Sequence, residues 1–221
     1  MRELLQAWEQ GWNQPPTSRA LLLLTASGPD VVAGELLLLT PGDCDARLLE
    51  LRERWFGRHL EALADCPGCG RTVEAVIDLR ALRQDAGSPP GTNPGVRLPT
   101  CADLIAVAGA PDLAAGRRQL LERCLDGDRP LTDDLADAAS AWMAEADPQA
   151  ALDVELRCPD CGTTWALPFE IGSILWQEVT AWAQGLFQDV HALATAYGWS
   201  ESAVLALSPG RRRLYLEMVR G

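Results

Sequence analysis

The sequence predicts a mainly helical α+β protein with short β-hairpins, a helical insertion and a C-terminal helical module. Three observations predict this fold: apolar residues recur at helical spacing over most of the chain, period-two alternation is confined to short stretches, and a five-residue cysteine motif occurs twice beside those stretches. With 221 residues, 48% of them hydrophobic and 23% charged, the chain has the composition of a globular protein of one or two domains.

The first 65 residues are predicted to form an N-terminal helical part. Apolar spacing indicates short helices over residues 3–10 and 18–26, on either side of a proline pair that interrupts them. Residues 40–43 read Thr-Pro-Gly-Asp, which supplies an N-cap, a proline at the first helical position and an acid at the third. We therefore expect a longer helix over residues 45–63, whose leucines and aromatic residues share one broad face.

The middle of the chain is predicted to hold a strand, a loop and an inserted helical segment over residues 81–150. Residues 71–79 mostly alternate between apolar and polar side chains, which is typical of a half-buried strand. Residues 85–99 contain four prolines and three glycines, so neither a helix nor a strand can run through them. Three helices are then expected before about residue 147. Their start patterns lie at Thr100, Pro111 and Thr132.

Alternation returns on both sides of the second cysteine motif, at residues 152–156 and 165–169, and predicts a β-hairpin. The two cysteine motifs with their strands define a discontinuous ribbon, made of residues 66–80 and 151–171. Residues 172–221 follow as the C-terminal helical module, with a long helix, a short helix and a final helix. The expected helix boundaries lie at Ser173, Gly198, Ser200 and Pro209.

The most informative motif is the pair Cys66–Gly70 and Cys158–Gly162, which read C-P-G-C-G and C-P-D-C-G. Two thiolates at positions i and i+3 reach one cation when the chain turns tightly, and both proline and glycine favour such a turn. Two turns of this kind supply the four sulfurs of a tetrahedral Zn²⁺ site. The sequence therefore predicts a four-cysteine zinc ribbon with one structural zinc ion. Its ligands are Cys66, Cys69, Cys158 and Cys161.

The separation of the two motifs is long for such a site, because 88 residues lie between Cys69 and Cys158. Closing a flexible loop of that length costs about 4 kcal/mol, whereas structural zinc contributes about 10–16 kcal/mol in small peptides. Four thiolates leave no position for water or substrate, so the site is expected to be structural and not hydrolytic. The alternative, a redox-active Cys-x-x-Cys pair, does not explain two matched motifs beside strands. No role is assigned to Cys44, Cys101 and Cys124, which have no partner at ligand spacing.

Charge and composition disfavour several functional classes. The chain has 31 acidic and 19 basic residues, a formal charge of −12, which repels nucleic-acid phosphates and anionic lipids. Its apolar runs are too short to cross a membrane and its first residues lack an export-signal pattern, so we expect a cytoplasmic protein without membrane insertion. The sequence has no phosphate-binding glycine loop or nucleophile motif, so we expect neither an enzyme nor a small-molecule substrate.

The last 50 residues carry a recognisable pattern. It reads WQE at residues 176–178, VHALA at 190–194, AYGWS at 196–200, LALS at 205–208 and RRRLYL at 211–216. This pattern resembles the C-terminal signature of small baseplate proteins of contractile-tail phages. It is also similar to proteins of extracellular contractile injection systems, a group that includes baseplate hub assembly chaperones. The two cysteine motifs look like those of the zinc-bearing members of that group.

The resemblance implies a non-enzymatic role in assembling or forming the baseplate or hub of a contractile particle. Its partners are then baseplate or hub proteins, and the protein either acts transiently or is retained in the assembled particle. An alternative interpretation is a zinc-ribbon adaptor in a transcription or RNA-processing complex, which the acidic charge disfavours for direct nucleic-acid contact.

The C-terminal module also offers side chains suited to a protein partner. Aromatic residues and arginine are enriched in interfaces, and three consecutive arginines near the start of the last helix are unfavourable for its dipole unless acidic groups face them. The predicted partner-binding residues are Trp176, Tyr197, Trp199, Arg211, Arg212, Arg213 and Tyr215.

Overall fold

The structure is a computed structural model that describes residues 2–28, 32–84 and 91–220. Arg220 is described by its backbone alone. The described chain is α+β, as the sequence predicts, and contains ten α-helices, one 3₁₀-helix and two antiparallel two-stranded sheets. The α-helices are α1 (Arg2–Gly11), α2 (Pro16–Thr25), α3 (Ala33–Leu36), α4 (Pro41–Phe56), α5 (Cys101–Val107), α6 (Leu113–Cys124), α7 (Asp133–Ala146), α8 (Ile171–Tyr197), α9 (Glu201–Leu205) and α10 (Pro209–Arg220). The 3₁₀-helix is Pro148–Ala150, and the strands are β1 (His59–Asp65), β2 (Thr72–Asp78), β3 (Asp153–Arg157) and β4 (Thr164–Pro168).

The two short helices predicted at the N-terminus are confirmed as α1 and α2, with boundaries within two residues of those expected. α2 begins at Pro16, because the fixed φ of proline suits the first helical position. α2 lies against α4. Leu23 of α2 and Leu48 and Leu49 of α4 are completely buried, so these two helices supply the centre of the N-terminal core.

α4 is shorter than predicted, since it ends at Phe56 and not at residue 63. Gly57 has a φ of +94°, a conformation that glycine adopts at little cost and that stops the helix. The buried guanidinium of Arg52 donates to the carbonyl oxygens of Gly57 (2.8 Å) and His59 (2.7 Å), which fixes the chain after the helix. The expected last turns of the helix are therefore the beginning of β1.

The predicted strand over residues 71–79 and the predicted hairpin around the second cysteine motif are both confirmed, as β2 and as β3 with β4. The hairpin of β1 with β2 was not expected. β1 and β2 pair antiparallel along their whole length, from His59 opposite Asp78 to Asp65 opposite Thr72. Each cysteine motif is the turn of its own hairpin. The two sets of cysteines therefore lie at hairpin tips.

All three helices predicted in the insertion are confirmed as α5, α6 and α7. Their first turns are capped by Thr100, Asp112 and Thr132, whose side chains accept a main-chain N–H three residues later. Of the predicted loop over residues 85–99, residues 85–90 lie outside the described part of the chain. The remainder contains no helix, as expected.

A buried carboxylate ties this loop to α5 and α6. Asp103 is 3% exposed and accepts from the guanidinium groups of Arg97 (2.6 Å) and Arg123 (3.0 Å). It also accepts from the main-chain N–H of Thr100 at 3.0 Å, which completes a capping box. The Arg97 guanidinium is the main reason that the pKa of Asp103 lies well below its usual range.

The two ends of the insertion lie together at α4. The main-chain N–H of Gln84 donates to the side-chain oxygen of Gln149 at 2.7 Å, and Gln149 is buried. The main-chain N–H of Gly42, in the first turn of α4, donates to a carboxylate oxygen of Asp147 at 2.9 Å. The insertion therefore leaves and rejoins the rest of the chain at one place.

The chain divides into two compact units, residues 1–175 and residues 176–221. The core of the second unit is formed by Leu193, Val204 and Leu216, one from each of α8, α9 and α10. These helices follow the predicted order, since Gly198 has a φ of +68° and ends α8, Ser200 caps α9 and a proline opens α10.

α8 begins at Ile171, two residues before the expected cap at Ser173. The hydroxyl of Ser173 donates to the carboxylate of Glu170 at 3.1 Å, so it lies inside the first turn and not at the N-cap. With 27 residues α8 is the longest of the described helices. Neither it nor any other helix in the described part of the chain is long and apolar enough to cross a membrane.

Candidate metal centre and C-terminal surface

The two cysteine motifs fold into the same turn. The main-chain N–H of Cys66 donates to the carbonyl of Arg71 at 2.8 Å, and the corresponding bond joins Cys158 to Thr163 at 2.9 Å. In each motif the glycine that follows the second cysteine has a positive φ, +71° in the first and +75° in the second, where a side chain would be strained. The repeated sequence therefore specifies a repeated backbone geometry.

The hairpin tips bring all four predicted ligands together. The Sγ atoms of Cys66, Cys69, Cys158 and Cys161 lie within 4.8 Å of one another. Across the two motifs, Sγ of Cys66 is 3.6 Å from that of Cys161, and Sγ of Cys69 is 3.7 Å from that of Cys158. Among the described residues this is the only group of three or more cysteine, histidine or carboxylate side chains that can hold a metal ion.

One cysteine of each motif is buried and the other is exposed. Cys66 and Cys158 are 2% and 1% exposed and pack with Val73 and Trp165 in a small core beneath the sulfurs. Cys69 and Cys161 are exposed. A cation held by these four groups would have two ligands fixed by packing and two at the surface.

Thr163 and Gly68 complete the surroundings of the sulfurs. The Thr163 hydroxyl lies 3.2 Å from Sγ of Cys161 and is the main reason that the pKa of Cys161 falls to about 6. A lowered pKa favours the thiolate, which is the form that binds metals. A Cβ on Gly68 would lie 2.4 Å from the Thr163 hydroxyl, so a larger residue at position 68 would displace this side chain from its place beside Cys161.

A direct ion pair also joins the tips. The guanidinium of Arg71, in the first motif, lies 2.9 Å from the carboxylate of Asp160, in the second. Both side chains are well exposed, so this pair contributes at most about 1 kcal/mol. The attraction between the two tips therefore comes mainly from the sulfur cluster and from the small core beneath it.

Cys44 and Cys101, to which the sequence assigned no role, are neighbours in the structure. Both line one cavity. They lie 57 residues apart in the sequence and share no motif, so no local pattern signals this pairing. Cys124 is completely buried in the insertion.

Four carboxylates of the insertion lie where they stabilise helices and loops. Asp103 is held between two arginines, and Asp112 caps α6. Asp133 and Asp134 lie in the exposed first turn of α7. These positions match structural uses of carboxylates.

In the C-terminal unit, three of the predicted partner-binding residues form one aromatic cluster. The ring of Tyr197 stacks on that of Trp199 at a centroid distance of 4.8 Å, and Tyr215 meets Trp199 edge-on at 4.9 Å. Tyr197 is 39% exposed, whereas the other two rings are half-buried. This cluster connects the end of α8 to the middle of α10.

Of the four remaining predicted partner-binding residues, two are buried and two are exposed. Trp176 and Arg212 are buried, at 8% and 5% exposed. Arg211 and Arg213 are exposed, and Arg213 pairs with Glu217 on the next turn at 3.3 Å.

Two exposed apolar residues of α10 were not singled out from the sequence. Leu214 and Met218 are 57% and 68% exposed. Together with Arg211 they follow the spacing of one helix face. We call Arg211, Leu214 and Met218 the α10 stripe.

Comparison of the chain with protein-family models, with curated proteins and with solved structures gives no significant match. Two structural features therefore bear on function: the geometry of the four-cysteine cluster and the exposure of the C-terminal side chains.

Proposed function

We propose that the protein is a non-enzymatic assembly factor or structural component, built around one structural Zn²⁺ and acting by protein–protein binding through its C-terminal unit. Two features support this proposal. One is a four-sulfur cluster that joins two hairpins far apart in the sequence, and the other is the exposed α10 stripe on the last helix.

The dimensions of the cluster fit a zinc ion. A tetrahedron with metal–sulfur distances of about 2.3 Å has sulfur–sulfur edges of about 3.8 Å, close to the 3.6 and 3.7 Å measured across the two motifs. Four thiolates in this arrangement select zinc or iron. When bound, the metal supplies a cross-link and no vacant coordination position.

The role of the protein residues around the metal is then mechanical. Cys66 and Cys69 hold one hairpin tip, and Cys158 and Cys161 hold the other. The buried cysteines fix the orientation of the ligands, and Gly68 leaves room for the Thr163 side chain beside Cys161. The centre fixes the first unit of the chain, while binding is left to surfaces elsewhere.

The α10 stripe and Tyr197 are suited to a partner with an apolar surface edged by acidic groups. Exposed leucine and methionine side chains gain free energy when they are buried, and arginine adds hydrogen bonds and steering toward carboxylates. The resemblance of the C-terminal pattern to contractile-system proteins suggests where such a partner is found. We propose baseplate or hub proteins of a contractile particle, bound in the cytoplasm by a protein that acts transiently or stays in the particle.

Affinity purification from cells that are producing particles tests this proposal. The tagged wild type is compared with a double variant, Leu214→Ser with Met218→Ser, and with the control Leu113→Ser, which removes an equally apolar side chain that is 90% exposed in the insertion. We expect the wild type and the control to recover baseplate proteins and the double variant to lose them. Circular dichroism checks that all three proteins fold.

The cell fraction in which the partners occur distinguishes the two roles. Recovery from the soluble pool alone indicates an assembly factor, and recovery from sedimented particles as well indicates a retained component. Recovery of polymerase or ribosomal proteins instead would refute the baseplate assignment and support the adaptor interpretation.

A further inference from the structure

The first hairpin turns two large apolar side chains toward solvent. Along β1 and β2 the side chains alternate between an inward face and an outward face. Outward positions of a hairpin are normally polar, yet Leu63 is 72% exposed and Val76 is 69% exposed. Apolar side chains of this size gain free energy when another surface covers them. Neither the cysteine cluster nor the core accounts for leucine and valine at these two positions.

The strand register places a carboxylate beside each of these apolar residues. Val76 lies opposite Glu61, and Leu63 lies opposite Glu74. Opposite residues of an antiparallel pair point to the same face, with their Cβ atoms about 5 Å apart. The four side chains therefore form a square, in which the apolar residues take one diagonal and the carboxylates take the other. We call Glu61, Leu63, Glu74 and Val76 the β1–β2 patch.

The two carboxylates of the patch are exposed and keep their charge uncompensated. At one end of the same face, Asp78 accepts from the guanidinium of Arg58 at 2.7 Å. In contrast, neither Glu61 nor Glu74 forms an ion pair with any residue that the structure describes. The patch therefore combines two apolar side chains with two free negative charges, on a chain whose formal charge is −12.

A helix with an apolar stripe and basic flanks fits this arrangement. Leu63 and Val76 are diagonal neighbours about 7–8 Å apart, and residues at positions i and i+4 of a helix lie about 6 Å apart on one stripe. A helix laid along the apolar diagonal has one carboxylate of the patch on each side. Arginine or lysine on both flanks of its stripe can then pair with Glu61 and Glu74. The negative field of the chain also attracts a basic partner.

A second copy of this chain fits the patch less well. Its α10 stripe is apolar and includes Arg211, but Glu217 follows Leu214 by three residues and so lies on one flank of the stripe. That flank would face a carboxylate of the patch. Two copies that each carry a charge of −12 also repel each other.

We propose that the β1–β2 patch is a docking surface for a basic amphipathic helix of another protein. The patch lies in the first unit and the α10 stripe lies in the second, so the protein presents two apolar surfaces that select partners of opposite charge. The test of the patch uses the purified protein and the first unit's own residues, so its result is independent of the proposed function.

Fluorescence anisotropy with a labelled model peptide measures the binding. The peptide is a helix with leucine along one stripe and lysine on both flanks, and it is titrated with the zinc-loaded protein. The variant Leu63→Thr with Val76→Thr removes the apolar diagonal and keeps residues that favour strands; circular dichroism and metal content check its fold. It should bind at least about tenfold more weakly than the wild type, because less apolar area is buried. Equal binding by the two proteins would overturn the proposal.

A matched pair of charge variants separates the patch from the general acidity of the chain. Glu61→Gln with Glu74→Gln removes two charges from the patch. The control, Asp153→Asn with Glu155→Gln, removes two from the outward face of the second hairpin, which carries no leucine, valine or aromatic residue. The patch variant should weaken binding about threefold at low salt, and the control should bind as the wild type does. The same weakening in both would mean that the peptide responds to net charge alone, which contradicts a defined surface.

Cross-linking locates the bound peptide. A carbodiimide joins a lysine amine of the peptide to a nearby carboxylate as an amide, and mass spectrometry identifies the modified residue. We expect adducts on Glu61 and Glu74, and adducts confined to other carboxylates would refute the assignment of the surface. Sedimentation equilibrium without peptide should give a monomer. A dimer that Leu63→Thr with Val76→Thr makes monomeric would show that a second copy covers the patch, and the proposed partner would be wrong.

Discussion

Replacing a buried metal ligand tests how much of the first unit depends on the four-cysteine cluster. The change is Cys158→Ser, which removes one of the two ligands fixed in the core beneath the sulfurs. A serine hydroxyl does not replace a thiolate as a zinc ligand, so the metal content should fall from about one ion per chain. The free energy of unfolding should fall with it.

The structure sets the size of this effect. Without a metal, the hairpin tips keep the small core beneath the sulfurs, to which Val73 and Trp165 contribute. They also keep one exposed ion pair, between Arg71 and Asp160, which contributes at most about 1 kcal/mol. The bond between Gln84 and Gln149 already closes most of the insertion, so the chain left to close between the two motifs is about 24 residues. Closing it costs about 3 kcal/mol. Structural zinc contributes about 10–16 kcal/mol in small peptides, which exceeds this cost. We therefore expect Cys158→Ser to lose a net several kcal/mol, a large share of the total for a typical domain.

Urea denaturation with elemental analysis of the same samples gives both quantities. The control is Cys124→Ser, which makes the same chemical change at another fully buried thiol that is not a ligand. The control should keep its metal and lose less free energy. Cys158→Ser with a full complement of metal, or with the midpoint of the control, would refute the structural role of the cluster. A coloured protein that contains iron would refute zinc but not the site.

Two further changes test carboxylates of the first unit. Asp103→Ala removes a capping box and three hydrogen bonds from two arginines, so it should cost about 3 kcal/mol. Asp112→Ala removes a cap alone and should cost about 1 kcal/mol. Equal losses in urea denaturation would contradict the role of the arginines. The second change concerns Asp45, whose pKa is raised to about 7, first by burial and then by two neighbouring carboxyls. The folded state therefore holds the carboxyl proton of Asp45 more tightly than the unfolded state does. As a result, the contribution of Asp45 to stability falls as pH rises from about 4 to about 7. Asp45→Asn should therefore be more stable than the wild type at neutral pH, by about 2 kcal/mol, with little difference near pH 4; an equal pH dependence in both proteins would count against the shifted pKa.

The parts of the fold that the sequence predicts correctly are those that short-range chemistry determines. Caps such as Thr100 and Thr132 act within one helical turn, and the cysteine motifs specify their turns through proline and glycine. The four ligands are predictable because the motif occurs twice, although the two motifs are separated by 88 residues of sequence.

The predictions that differ depend on distant partners. The leucines of residues 59–63 fit helical spacing, so the sequence predicts a helix there. These residues form a strand because they pair with β2, which follows the first cysteine motif. Gly57 was the available local signal for the boundary. The place of Cys44 and Cys101 at one cavity has no local signal, because it arises where two segments meet in three dimensions.

The joined ends of the insertion make it an exchangeable part. Both hairpin tips face the four-cysteine cluster, while the chain enters and leaves the insertion near Gln84 and Gln149, at the other ends of the strands. Shortening, lengthening or replacing the helices between those two residues changes neither the spacing of the cysteines within each motif nor the geometry of the turns. Related proteins are therefore free to diverge in α6 and α7 while they keep the same tips. α5 is more constrained, because main-chain N–H groups in its first turn donate to the carbonyls of Leu37 and Leu39.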